Sequence, residues 1–198
     1  MQVRIVIAGQ ERQMFHPLLR EGVEVSVGLG RTVYQVLEED LHVPEEIIEQ
    51  DIQSLFLNNH PVDNLQTPIH SSGSVLTLSA AMPGLVGACM RRGGVYAGLR
   101  EGISWTDEKK GPNSPKEGCI RIKLFNFMAP RIGPILLSHG VQVGGERLAQ
   151  VLKKLSAVEL EKISSVHVDE EAVDVDNPQI MEKLAAQESV WLQVISRM

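Results

Sequence analysis

The residues of this chain best equipped to hold an anion are Arg91-Arg92-Gly93-Gly94, with Arg100 six positions on. A guanidinium offers a planar fork of donors that matches carboxylate and phosphate. Glycines let a ligand approach backbone N–H groups that a Cβ would shield. The stretch from Met82 to Arg100 also holds Gly84, Gly87 and Gly98, and glycines lose more entropy on ordering than other residues. Such a concentration outside any strand or helix pattern marks a binding segment. A protein partner, through an acidic face, or a small anionic ligand is expected at Arg91, Arg92, Gly93, Gly94 and Arg100. The competing role is internal, with the arginines pairing to carboxylates of residues 1–82 and clasping the chain.

Other reactive groups give less. Cys89 lies two and three positions from Arg91 and Arg92, and nearby cations favour a thiolate. A small enzyme using Cys89 and these arginines is thus one reading, though no base accompanies it, and a lone cysteine among small apolar residues is more often buried and inert. His16, His42, His60, His70, His139 and His167 are scattered, without the spacing of a helical zinc pair. The acidic run Asp169, Glu170, Glu171, Asp174 and Asp176 lacks the loop glycine and closing glutamate of a calcium loop. No GxSxG, P-loop or GxGxxG is present. The sequence therefore offers no catalytic constellation, no metal set and no cofactor motif, and favours a non-catalytic role.

Charge is uneven along the chain. Residues 1–82 carry a net −7, residues 83–118 a net +2 and the remainder a net −1, giving −6 overall. An acidic chain is a poor fit to nucleic acid, which is held by phosphate contacts. Its acidic first third would attract a basic partner surface. Two cysteines, Cys89 and Cys119, are too few for a disulfide framework, and a reducing, cytoplasmic setting is expected. The start, MQVRIVIAGQ, lacks the layout of a signal peptide, and no apolar run reaches membrane-spanning length.

The elements that must position these groups follow from periodicity. Val3, Ile5 and Ile7 alternate with polar residues, as do Val23, Val25 and Val27 after Gly22. They read as an antiparallel hairpin with a long loop through Phe15-His16-Pro17. Val33, Val36, Leu37 and Leu41 form one stripe of a helix, opened by a Thr32/Gln35 capping box and stopped at Pro44. Ser54 to Leu57 is a strand leaving through Asn58-Asn59, and Gly73 introduces a last strand, Ser74 to Leu78.

The stretches Leu57-Asn58-Asn59-His60-Pro61-Val62 and Gly73-Ser74-Val75-Leu76-Thr77-Leu78-Ser79-Ala80-Ala81 resemble the small sulfur carriers, the ubiquitin-like family of the molybdopterin-synthase small subunit and the thiamine-pathway carrier. The resemblance covers residues 1–82. It implies a β-grasp fold and a setting in sulfur transfer or molybdenum or tungsten cofactor assembly. It also implies a terminal Gly-Gly as the working group of a carrier. This chain ends Ile195-Ser196-Arg197-Met198, and its glycine pair is internal. A carrier precursor cleaved after Gly94 is therefore the alternative to an accessory protein.

The first stretch also recurs. Val3-Arg4-Ile5 matches Ile120-Arg121-Ile122, and His16-Pro17-Leu18-Leu19 matches Gly133-Pro134-Ile135-Leu136. Gly22-Val23-Glu24-Val25 matches Gly140-Val141-Gln142-Val143. The helix pattern Val33, Gln35, Val36, Leu37 returns as Leu148, Gln150, Val151, Leu152. Late in each copy, Val62-Asp63 matches Val173-Asp174 and Ser74-Val75 matches Ser189-Val190. Ordered matches of this kind point to duplication. The expectation is an α+β chain of tandem ubiquitin-like β-grasp domains, residues 1–82 and 119–198, each a mixed sheet on one helix. They are joined by a Gly/Arg-rich connector, 83–118. Within it Val95 to Trp105 reads as an extra strand and Asp107 to Gly118 as an exposed loop.

Overall fold

A computed structural model describes residues 1–9, 12–106 and 116–197. The segment 107–115 of the expected exposed loop lies outside them. Ten strands occur among the described residues: β1 (Gln2–Ala8), β2 (Val23–Leu29), β3 (Ser54–Leu57), β4 (His60–Pro61), β5 (Val75–Ser79), β6 (Lys116–Phe125), β7 (Val141–Val143), β8 (Ile163–Val168), β9 (Glu171–Val173) and β10 (Val190–Arg197). The helices are α1 (His16–Glu21), α2 (Val33–Gln35), α3 (Gly84–Met90), α4 (Met128–His139), α5 (Gly145–Lys153), α6 (Ala157–Glu161) and α7 (Pro178–Ala185), with tighter and wider helical turns besides them. The fold is α+β, with sheets that mix parallel and antiparallel pairs.

Two compact units form, Met1–Val23 with Gly133–Met198, and Glu24–Ile132. They cut across the sequence stretches 1–82 and 119–198. In the first unit the strand order is β7-β10-β1-β8-β9. β1 runs parallel to β10, from Gln2 opposite Trp191 to Ala8 opposite Arg197, and antiparallel to β8. Val3, Ile5 and Ile7 are wholly buried. Buried faces of α5 (Leu148, Val151, Leu152) and α7 (Met181, Leu184) complete this core. The two helices meet closely at Gly145, where a Cβ would collide with the Leu184 carbonyl.

In the second unit the order is β4-β3-β5-β6-β2. β5 runs parallel to β6, Val75 opposite Arg121 through Ser79 opposite Phe125, and antiparallel to β3. β3 turns into β4 through Asn58 and Asn59, whose φ values of 50° and 68° lie in the left-handed region that asparagine tolerates. The capping box at the start of α2 is present. Thr32 Oγ1 accepts the Gln35 N–H at 3.2 Å, and Gln35 Oε1 accepts the Thr32 N–H at 3.1 Å. Beyond Gln35 the helix widens, with the Leu41 N–H donating to the Val36 carbonyl, five residues back. This helix stops before Pro44, with Leu41 as its cap and His42 at φ 57°. A second wide turn, Ile47–Asp51, follows and buries Ile48.

The first strand of each sequence stretch thus pairs with the last strand of the other: β1 with β10, β6 with β5. The expected hairpin of β1 with β2 does not form; β1 lies between β10 and β8. The reason sits between the strands. Residues 16–21 are a helix, with a proline in its first turn and Gly22, at φ 111°, closing it. It buries Leu18 and Leu19, so no tight turn ties β1 to β2. The extra strand expected over Val95–Trp105 is also absent; Ala97–Ile103 is a run of tight helical turns. Its glycines at 98 and 102 leave too few side chains to pack on a pleated surface.

Candidate functional site

The connector begins where β5 ends. Pro83 leads into α3, and Gly87 packs so close to Met82 that a Cβ there would strike the Met82 carbonyl. The chain then doubles back. Arg92 donates its N–H to the Gln53 carbonyl at 2.7 Å, and its guanidinium reaches the carbonyls of Ile48 and Glu49, both at 3.3 Å. The Glu49 carboxylate stands 3.7 Å away. Gly93, at φ 61°, donates its N–H to Asp63 Oδ1 at 2.9 Å. Gly94 donates to the Arg91 carbonyl at 3.1 Å. The glycine pair is thus a turn pinned to the body of its unit, not an extended tail.

Arg100 is buried, only 4% exposed. Its Nε donates to the Cys89 carbonyl at 2.7 Å, one terminal nitrogen to Ser104 Oγ at 2.9 Å and the other to Asp63 Oδ1 at 2.7 Å. A guanidinium moved out of water needs such partners along its whole fork. Neither Arg92 nor Arg100 is held against the Cys89 sulfur, since both turn to other acceptors.

Four of the five expected site residues line one cleft of about 630 Å³: Arg91, Arg92, Gly93 and Gly94, with Glu49 and Tyr96. Arg100 does not line it and acts as a clasp through Asp63. Arg91 alone of the three connector arginines is exposed, and its guanidinium has no hydrogen-bonding or ionic partner among the described residues. It also borders a second cleft of about 640 Å³ with Gln50, Gln53, Ala81, Phe127 and Met128.

Sequence reasoning missed two features. Asp63, which anchors both Gly93 and Arg100, was visible only as part of the repeated Val-Asp pair. The second is the apolar surface. Nine large apolar side chains stand exposed among the described residues, and eight of them, Leu85, Val86, Val95, Tyr96, Leu99, Ile103, Phe125 and Phe127, belong to the connector or the end of β6. Leu85, Val86, Val95 and Leu99 are visible in the sequence as apolar residues without a periodic partner, which is the signal that marks them.

A third cleft, about 440 Å³, gathers His60, His70, Ser71, Ser74, Ser104 and Trp105. His60 Nδ1 lies 3.0 Å from the Ile103 carbonyl, and its ring meets Trp105 edge-on at 6.2 Å. These contacts hold the connector's exit in place. Among the described residues no group of three His, Cys, Asp or Glu is placed to hold a metal ion, and no helix is long and apolar enough to cross a membrane. No protein-family model matches the chain, nor does any curated protein or solved structure.

Proposed function

We propose that this chain is a non-catalytic binding protein built from two β-grasp-like units, with the connector as its docking element. The observation that carries the reading is the exposed apolar surface: of nine such side chains, six lie in the connector and two more, Phe125 and Phe127, at or just after the end of β6. Apolar surface gathered in one region, beside a cleft and a free cation, has the composition of a protein-binding patch. The clasp of Asp63 on Gly93 and Arg100 holds that surface in one shape, which lowers the ordering cost of association. The β-grasp assignment draws support from one parallel strand pair in each unit, flanked by antiparallel β7 and β8 in the first and by antiparallel β3 in the second, and from a helix following β2 and β7. With the sulfur-carrier resemblance of residues 1–82, the accessory role belongs with sulfur transfer or molybdenum or tungsten cofactor assembly, an argument from fold rather than from a site. A carrier precursor cleaved after Gly94 would first have to free a glycine pair that is bonded to Asp63 and Arg91.

The test is site-specific photo-crosslinking of the full chain in its native cell. A photoreactive residue at Leu99 or Val95 should give discrete adducts, and one at Val158, the exposed apolar residue elsewhere, should not. Identification of the adduct by mass spectrometry tests the pathway. Equal, diffuse labelling from all three positions overturns the binding reading.

A further inference from the structure

Six arginines fall in the unit Glu24–Ile132, and five are neutralised within it. Arg31 pairs with Glu39 and Asp40, Arg92 with Glu49, Arg100 with Asp63, Arg121 with Glu24 and Arg131 with Asp51. Arg91 has no such partner among the described residues, and it stands at the junction of two clefts that share Gln53, Ala81 and Arg91 itself. On one side the walls are Ala80, Phe127, Met128 and Pro130; on the other they are Ile52, Val95 and Tyr96. Asp51 is at the edge of the first but is already bonded to Arg131 at 2.6 Å.

We infer that these joined clefts hold one extended segment of a partner protein, carrying an acidic side chain flanked by aliphatic or aromatic ones. The acidic group forms a forked hydrogen-bonded pair with Arg91, and its neighbours lie against Phe127 on one side and Tyr96 on the other. The inference deepens the proposed binding role and rests on it. Charge complementarity selects an anion, because Arg91 is the unmatched arginine of the unit. Size selects a chain segment over a small molecule, because two clefts of about 630 and 640 Å³ adjoin through the shared residues Gln53, Ala81 and Arg91, each already the size of a small-molecule site. The exposed Gln50 amide offers both a donor and an acceptor, the pairing that a peptide backbone needs, while the Gln53 amide nitrogen is bonded to the Gln50 carbonyl.

The experiment selects binders from a phage-displayed library of random twelve-residue peptides on the full chain, then measures the best peptide against variants. Enriched peptides should carry one acidic residue between apolar ones. Their binding to Arg91→Glu should weaken at least tenfold, as loss of a charge-assisted pair implies. Binding to Phe127→Ser should weaken as well, and amide shifts in the 15N-labelled chain should cluster at residues 50–53, 80–82, 91–96 and 127–131. Light scattering should give the same mass for wild type and Arg91→Glu. Peptides that bind equally to Arg91→Glu, or that shift other residues, overturn the inference while leaving the connector's wider role to the crosslinking test. An oligomer dissolved by Arg91→Glu also overturns it, by naming a second copy as the occupant.

Discussion

Asp63 Oδ1 accepts the Arg100 guanidinium at 2.7 Å and, on the same oxygen, the Gly93 N–H at 2.9 Å. One carboxylate therefore closes the connector into a loop by holding it at two points. Arg100 is 4% exposed, and removing its counter-charge leaves a desolvated cation. Asp63→Ala should cost about 3 kcal/mol, the low end for breaking a buried pair because the Asp63 side chain itself is 43% exposed. Asp63→Asn keeps an acceptor and should cost less. Urea unfolding measures both, and limited proteolysis should show faster cleavage within residues 84–104 of the alanine variant.

Arg91 and Arg92 separate binding from support. Arg91→Ala removes an exposed side chain without an internal partner and should leave stability within about 0.5 kcal/mol. Arg92→Ala loses contacts to Ile48 and Glu49 and should cost about 1–2 kcal/mol. Thermal unfolding of the two single variants reads the difference. Equal losses would mean that both arginines are structural.

Strand exchange makes Ile5 a reporter. It is wholly buried in β1, between β10 and β8. Ile5→Ala should cost about 2–5 kcal/mol. Amide hydrogen exchange should quicken first in Ile163–Val168 and Val190–Arg197, and less in Ser54–Leu57 and Val75–Ser79. The opposite order would place β1 with the other unit.

Gly140 carries two constraints at once. Its φ of 103° is strained for any L side chain, and a Cβ there would run into the Trp191 indole. Gly140→Ala should cost about 3 kcal/mol, more than either constraint alone. The same exchange at Gly102, which has open space around it and no positive φ, should be nearly silent, and calorimetry on the pair decides.

His16 gives a pH dependence. Burial, and then the positive charge of Arg20, hold its pKa below the ordinary imidazole value. The unfolded chain therefore takes up the proton more readily than the folded one. Stability from this group is full above the ordinary value of about 6.5, declines as pH falls through it, and levels off once pH is below the folded value. His16→Gln should flatten that part of the stability curve in chemical denaturation between pH 8 and 5.

Local rules make much of the fold legible in the sequence. The Thr32 and Gln35 side chains announce their capping box, Asn58-Asn59 their left-handed turn, and Val3-Ile5-Ile7 their strand. Pairing was not legible, because alternation says which face of β1 is buried and nothing about its edges. Pro17 followed by Leu18-Leu19 and closed by Gly22 did hold the sign of a helix, and that helix is what separates β1 from β2. At the site, composition identified Arg91, Arg92 and Arg100 as a group. It could not sort them, because which guanidinium is bonded depends on where Asp63, Ile48 and Glu49 are brought by the fold.

The pairing of β1 with β10 has a consequence for synthesis on the ribosome. Val3, Ile5 and Ile7 are made long before their partners, since one flanking strand, β8, begins at Ile163 and the other, β10, at Val190. At about 5–20 residues per second, the wait is of the order of 10–40 s. The unit Glu24–Ile132 is continuous in the chain and can fold during that interval. Until β8 is made, β1 remains an apolar ribbon with both edges open, a natural target for a holding chaperone near the exit tunnel.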